Sequence, residues 1–140
     1  MKILLTGATG FVGQTLLRSF LPGDEVVCLG RSAPDRLSDK VTFIKTNISD
    51  EDSVNHAASQ VNDEYDALVH LAAYVPKNSG EDMLAESYQT NITGTINLLE
   101  AFKGKFKKVV IGSTVEVYDQ SKVSGEINES SPVGASSYYG

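Results

Sequence analysis

Residues 6–13 read TGATGFVG, which places Gly7, Gly10 and Gly13 three apart at the end of a short apolar run. That run, KILLT at 2–6, reads as a buried strand. From residue 11 the apolar Val12, Leu16, Leu17 and Phe20 recur at helical spacing, and Pro22-Gly23 predicts the end of a helix over 11–21. The order strand, glycine turn, helix carries more weight than the spacing, because isolated glycine triplets are common. One glycine permits the tight turn, a second lets backbone approach a pyrophosphate, and a third lets the helix pack on the strand. The N–H groups of Phe11 and Val12 would then face phosphate oxygens, aided by the helix dipole. A structural turn that merely needs positive φ is the competing reading.

Working outward, EVVCLG at 25–30 and VTFIK at 41–45 read as the second and third strands. DALVHLAA at 66–73 contains a fourth strand that runs into a loop, and KKVVIGS at 107–113 a fifth. Ser49, followed three residues later by Asp52, predicts a capping box that opens a helix through about residue 60. Leu84, Tyr88, Ile92 and Leu99 predict the inward face of a long helix over about 81–102. Nearly continuous apolar strands alternating with helices imply a parallel sheet covered on both faces. From Asp119 the sequence turns polar and serine-rich. It divides into a nucleotide-binding region, 1–118, and a loop and tail, 119–140, expected to be mobile.

Composition sets the outer bounds. A chain of 140 residues, 41% hydrophobic and 21% charged, is one globular domain at most. A net charge of −6 gives no support for nucleic-acid or membrane-surface binding. Cys28 is the single cysteine, so no intrachain disulfide forms and a reducing compartment fits. Glycines interrupt the N-terminal apolar run too early for a signal-peptide core, and no stretch has transmembrane length. The cytoplasm is the expected location, and no metal is expected.

TGATGFVG resembles the TGxxGxxG signature of the extended short-chain dehydrogenase/reductases, the group of NAD-dependent epimerases and dehydratases. Further stretches match in the same order: HLAA at 70–73, NITGTINLLEA at 91–101, STVEVY at 113–118, and ESSP followed by SYYG within 129–140. The resemblance spans the chain. It implies an α/β, Rossmann-like, doubly wound parallel sheet of strand order 3-2-1-4-5, truncated before the later strands and the substrate domain. A dinucleotide would cross the switch point between strands one and four.

The second strand ends in Gly30-Arg31, with no carboxylate to repel a 2′-phosphate, and Arg31 with Ser32 could bind one. This tilts the cofactor, NAD(P), towards NADP; a solvated loop arginine is the competing reading, and NAD stays open. Asn47-Ile48 stands where the family has Asp and an aliphatic residue at its adenine-binding step. The Asn47 side chain can accept from an adenine amino group or cap the following helix. Leu71, Ala72 and Ala73 match the family's cofactor-facing loop. His70, a lone histidine closing an apolar strand, reads as a buried structural residue without a chemical role.

The resemblance implies hydride transfer between a sugar C–H and a nicotinamide, with a Tyr-x-x-x-Lys pair. Its tyrosine acts as acid/base once its pKa is drawn below the usual value of about 10. Aligning SYYG on that motif makes Tyr139 the acid/base, puts Tyr138 where proline is common, and places the lysine just beyond Gly140. Thr114 matches the hydroxyl that orients the substrate oxygen, with Ser113 as its neighbour. Glu116 matches an acid or base of dehydratases and decarboxylases, or is simply solvated. Val115 replaces the aspartate of the Thr-Asp-Glu dehydratases, which argues against that subtype. Asp119 replaces a glycine, and Asn91 is expected to support active-site backbone. The expected function is the NAD(P)-binding portion of a nucleotide-sugar epimerase/dehydratase-like oxidoreductase, inactive by itself. The alternative is an NADP-binding regulatory or sensor module without catalysis. The fifth strand is expected to be an open edge, which favours a homodimer.

Overall fold

Lys2–Thr6 (β1), Glu25–Gly30 (β2), Val41–Lys45 (β3), Ala67–His70 (β4) and Val109–Ile111 (β5) pair in parallel in the computed structural model of the chain. Their order is β3-β2-β1-β4-β5, as the family resemblance implies. The structure describes residues 1–20, 22–35, 39–61, 64–75, 84–135, 137, 139 and 140. The expectation for Tyr138, and the start of the long helix at 81–83, lie outside the described residues.

Side chains alternate across the strands, so each face of the sheet has its own apolar layer. Leu4, Val27, Ile44 and Leu68 pack on one face with Val54, Ala57 and Ala58 of helix α2 (Glu51–Ser59) and Leu98 of helix α4 (Gly94–Ala101). Ile3, Leu5, Val26 and Cys28 pack on the other, against Leu16, Leu17 and Phe20 on and just after helix α1 (Phe11–Ser19). Helices on both faces make the sheet doubly wound.

Two local expectations are corrected. The cap of α2 is Asp50, not Ser49: the Asp50 carboxylate accepts from the backbone N–H groups of Asp52 and Ser53. Asp50 immediately precedes the first helical residue, which puts its short carboxylate within reach of both orphan donors. The long helix is also not one α-helix with Leu84, Tyr88 and Ile92 turned inward. It comprises a short α3 (Leu84–Ser87), a π-helical segment (Tyr88–Thr93) and α4. Leu84, Tyr88, Ile92 and also Ile96 are exposed, whereas Ser87, Gly94 and Leu98 are buried. The π segment, with Gly94 N–H bonded to the Gln89 carbonyl, changes the angular step per residue, so spacing read with α geometry does not continue across it. The inner face is small because Ile48 presses against it: a Cβ on Gly94 would lie 2.9 Å from Ile48 Cγ1.

Beyond β5, Tyr118 forms an antiparallel bridge with Val133, Asp119 N–H donates to the Pro132 carbonyl at 2.8 Å, and Gly134 N–H to the Val117 carbonyl at 2.9 Å. Asp119 caps the following 3₁₀ turn (Gln120–Lys122) through Ser121 N–H and pairs with Lys122 Nζ at 2.8 Å. Its hydrogen bond with Lys122 holds the carboxyl below the usual carboxylate range.

Gly13 is the most confined glycine among the described residues. A Cβ there would collide with the Gly7 carbonyl oxygen and lie 2.8 Å from Ala8 Cα, both backbone atoms without freedom to yield. Gly13→Ala is expected to destabilise the chain by about 3 kcal/mol, at the upper end of ordinary overpacking costs. A urea midpoint equal to that of the parent would show that the turn can relax.

Candidate functional site

Because β1 neighbours both β2 and β4, the chain leaves its first strand at the point where the sheet's winding reverses, and a crevice opens there. It has a volume of about 270 Å³. Gly7, Gly10, Arg31, Asn47, Ile48, Leu71, Ala72 and Ala73, all expected at a cofactor, line it, joined by Ser32, Phe43, Tyr74 and Thr90.

The three glycines divide their work. Gly7 adopts φ +73°, a left-handed conformation, and a Cβ on it would lie 2.6 Å from both Ala72 N and Leu71 C. Gly13 lets α1 pack on the turn. Gly10 is the N-cap of α1, where a Cβ would meet only the Gly7 oxygen, at 3.3 Å. A glycine N-cap has no side chain to satisfy the first helical N–H groups, which remain available to an anion. The expectations for Phe11, Val12 and Gly13 therefore concern backbone alone. None of their side chains lines the crevice; Phe11 and Val12 are 91% and 60% exposed, and Gly13 is buried.

At the end of β2, Arg31 is exposed beside the crevice. Asn47 Oδ1 accepts from Ser49 N–H at 3.3 Å, so the side chain braces the turn before α2 and its carbonyl keeps a second lone pair. Ile48 is buried against Gly94, and Asn97 Nδ2 donates to the Ile48 carbonyl at 2.9 Å. Burial pushes the Cys28 thiol up to about 11, so it lines the crevice as a small unreactive group. The loop after β4 is held by Asn91, whose Oδ1 accepts from Tyr74 N–H at 2.7 Å and whose Nδ2 donates to the Tyr74 carbonyl at 2.9 Å.

A second cavity of about 200 Å³ shares Leu71, Ala72 and Ala73 with the first. Thr114 and Tyr139 line it, together with Ser113, Val117 and Asn91. Thr114 accepts from Glu116 N–H at 3.3 Å, which fixes the short turn Val115–Val117. Glu116 is not brought to this cavity: it is exposed, and its Oε2 accepts from Ser137 Oγ at 2.5 Å. The sequence pattern did not single out Thr6, which is completely buried between the crevice and His70; the available signal was a hydroxyl closing an otherwise apolar strand. Among the described residues no group of three His, Cys, Asp or Glu side chains could hold a metal, and no helix is long and apolar enough to cross a membrane.

The family model described as "NAD dependent epimerase/dehydratase family" matches residues 3–140. The chain belongs to that family. It is 32% identical over 125 residues to a UDP-N-acetyl-alpha-D-glucosaminuronate decarboxylase of Bacillus cytotoxicus, covering 84% of this chain and 37% of that protein. It is 30% identical over 152 residues to a UDP-glucose 4-epimerase of Bacillus subtilis, covering 100% of this chain and 44% of that one. A UDP-glucose 4-epimerase of Thermus thermophilus, solved in complex with NAD, superposes with a TM-score of 0.82 at 26% identity, over 99% of this chain and 46% of its own. The chain thus spans less than half the length of each of these relatives.

In this family member Asn91 is the clasp of the loop that separates the two cavities. Asn91→Ala removes both bonds to Tyr74 and is expected to cost about 1–3 kcal/mol in urea denaturation. It should also speed exchange of the Tyr74 amide, and an unchanged exchange rate would mean that other contacts hold the loop.

Proposed function

We propose that this chain is the nicotinamide-dinucleotide-binding portion of an oxidoreductase that acts on nucleotide sugars. The single observation that carries the reading is the crevice at the switch point, walled by the glycine turn on one side and the Leu71–Ala73 loop on the other. A dinucleotide fits what is there. The crevice has bare backbone where a Cβ on Gly7 would find no room, an uncapped helix N-terminus, and a polar asparagine beside a buried isoleucine. The turn and α1 would hold the pyrophosphate, Asn47 and Ile48 the adenine, and Leu71, Ala72 and Ala73 the nicotinamide side. Relatives named for UDP-sugar chemistry support the substrate class.

Bound dinucleotide supplies hydride acceptance and return. Within the chain, the Tyr139 side chain, as its phenolate, would take the proton of the sugar hydroxyl being oxidised and become the neutral phenol, and the Thr114 hydroxyl would orient that oxygen by a hydrogen bond. Both line the second cavity, which adjoins the crevice through Leu71, Ala72 and Ala73. Glu116 would serve as a further acid or base only after releasing Ser137. We assign turnover to the longer protein: by resemblance the reaction needs a lysine four residues after Tyr139. Hydride transfer by the 140-residue chain on a panel of UDP-sugars would overturn that assignment. Self-association is part of the proposal, supported by the exposure of Val109, Val110 and Ile111 on the edge strand β5.

Calorimetric titration with NAD tests the core of the reading. Gly10→Val is expected to weaken binding at least tenfold, about 1.4 kcal/mol, by blocking backbone approach to the pyrophosphate. Equal affinity in a folded variant would remove the turn from the site.

Arg31 decides between the two dinucleotides. The reading that favours NADP expects Arg31→Ala to cost about 1.5–3 kcal/mol of NADP affinity and to leave NAD binding unchanged. Equal losses for both, or none for either, would return Arg31 to the role of a solvated loop residue.

A further inference from the structure

His70 is 4% exposed and sits opposite Thr6 in the β1–β4 register. Its Nδ1 lies 2.6 Å from Thr6 Oγ1 and its Nε2 lies 2.9 Å from Thr95 Oγ1. The directions of these bonds follow from proton bookkeeping. Thr6 Oγ1 accepts from Ala72 N–H at 3.1 Å and from Leu71 N–H at 3.2 Å, the latter shared with the Thr6 backbone carbonyl at 3.3 Å, so both of its lone pairs face amide donors. Its own proton must therefore go to His70 Nδ1, so the imidazole proton resides on Nε2. The other side agrees, because the Thr95 hydroxyl donates to the Asn91 carbonyl at 2.7 Å and so receives from Nε2–H. Protons run one way, from Thr6 through His70 and Thr95 to the Asn91 backbone.

That line joins two clasps on one loop. Thr6 holds the loop's first residues, Leu71 and Ala72, and the Asn91 side chain holds Tyr74 at its far end. Between them the backbone touches Gly7 too closely for even a methyl group. We propose that His70 is a positioning residue for dinucleotide binding: a neutral imidazole, protonated on Nε2, that locks the 71–74 backbone at the height the glycine turn requires. The ligand named here rests on the cofactor reading above.

An imidazolium would break the arrangement. A proton on Nδ1 would give Thr6 Oγ1 three donors for two lone pairs and leave the threonine proton without an acceptor. The groups that bond the ring are hydroxyls from β1 and α4, Gly112 N–H of the β5 end bonds the His70 carbonyl at 2.9 Å, and no carboxylate or ammonium faces it among the described residues. Burial alone lowers its pKa from the usual histidine value.

Nitrogen-15 spectra of the histidine side chains test this directly, with exposed His56 as the second signal. The expected result at neutral pH is a single Nε2–H tautomer for His70; an Nδ1–H tautomer, a mixture or an imidazolium would overturn the proposal. His70→Phe keeps the volume and removes both bonds. It is expected to speed exchange of the Leu71 and Ala72 amides about tenfold and to weaken NAD binding about tenfold, whereas unchanged exchange in the folded variant would sink the idea. Thr95→Val cuts the same line from α4 and Thr95→Ser restores it, so the test does not depend on His70→Phe folding. A serine variant as defective as the valine one would count against the hydroxyl relay. Failure of the parent chain to bind NAD would remove the cofactor reading and the ligand named here, while the exchange rates still decide whether His70 holds the loop.

Discussion

The space between Gly7 and the Leu71–Ala72 peptide is too small for one methyl group, and the site is arranged around that restriction. Neighbouring strands in a sheet lie about 4.8 Å apart. The loops that leave β1 and β4 on the same edge therefore start close together and must either diverge or interlock. Here they interlock. Gly7 turns left-handed at φ +73°, which sends the chain away from the sheet and into α1. Gly13 then packs on the Gly7 carbonyl, so the direction of the helix is fixed by the same atoms that contact the β4 loop. The N-terminus of α1 points where it does because two pieces of backbone leave no alternative.

The stretch NITGT, residues 91–95, supports that junction from behind. Asn91 clasps Tyr74, Gly94 makes room for Ile48, and Thr95 receives the proton of His70. These are three separate tasks: one on the loop after β4, one on the turn after β3, and one on β4 itself. The part of the helix that reaches two loops and a strand uses small and polar residues, Asn91, Gly94 and Thr95, while Leu98 joins the core and Leu84, Tyr88, Ile92 and Ile96 lie on the outside.

The fold was largely legible in the sequence because its signals are local. Continuous apolar runs bounded by turns mark all five strands, and the glycines mark a turn whose role depends only on neighbours in the chain. Eight of the cofactor residues expected from sequence line one crevice, since each lies in the turn or loop that leaves the end of a strand. What was not legible depends on contacts between distant segments. The apolar spacing of 84–99 suggested an inward face, and nothing in it reveals a π segment or the pressure of Ile48. The competition between Ser49 and Asp50 for the cap is decided by one residue of helix boundary, the least determinate feature of a sequence. Thr6 was missed because its hydroxyl is used by residues about 65 positions away.

The two cavities obey different rules. The crevice is built mostly from backbone and small side chains, and its shape follows from the sheet. The second cavity depends on side chains, Thr114 from the segment after β5 and Tyr139 from the tail, and these are held by short polar contacts at the surface. Glu116 and the tail are coupled: Glu116 Oε2 accepts from Ser137 Oγ, which in turn accepts from Gly140 N–H at 3.1 Å, on the far side of Tyr139. The carboxylate thus holds both flanks of the tyrosine through one hydroxyl. Moving Tyr139 against the 115–117 turn must stretch that contact, and freeing Glu116 must loosen Tyr139. The position of one candidate acid/base is therefore tied to the other, whereas the crevice, walled by the glycine turn and the Leu71–Ala73 loop, is lined by neither.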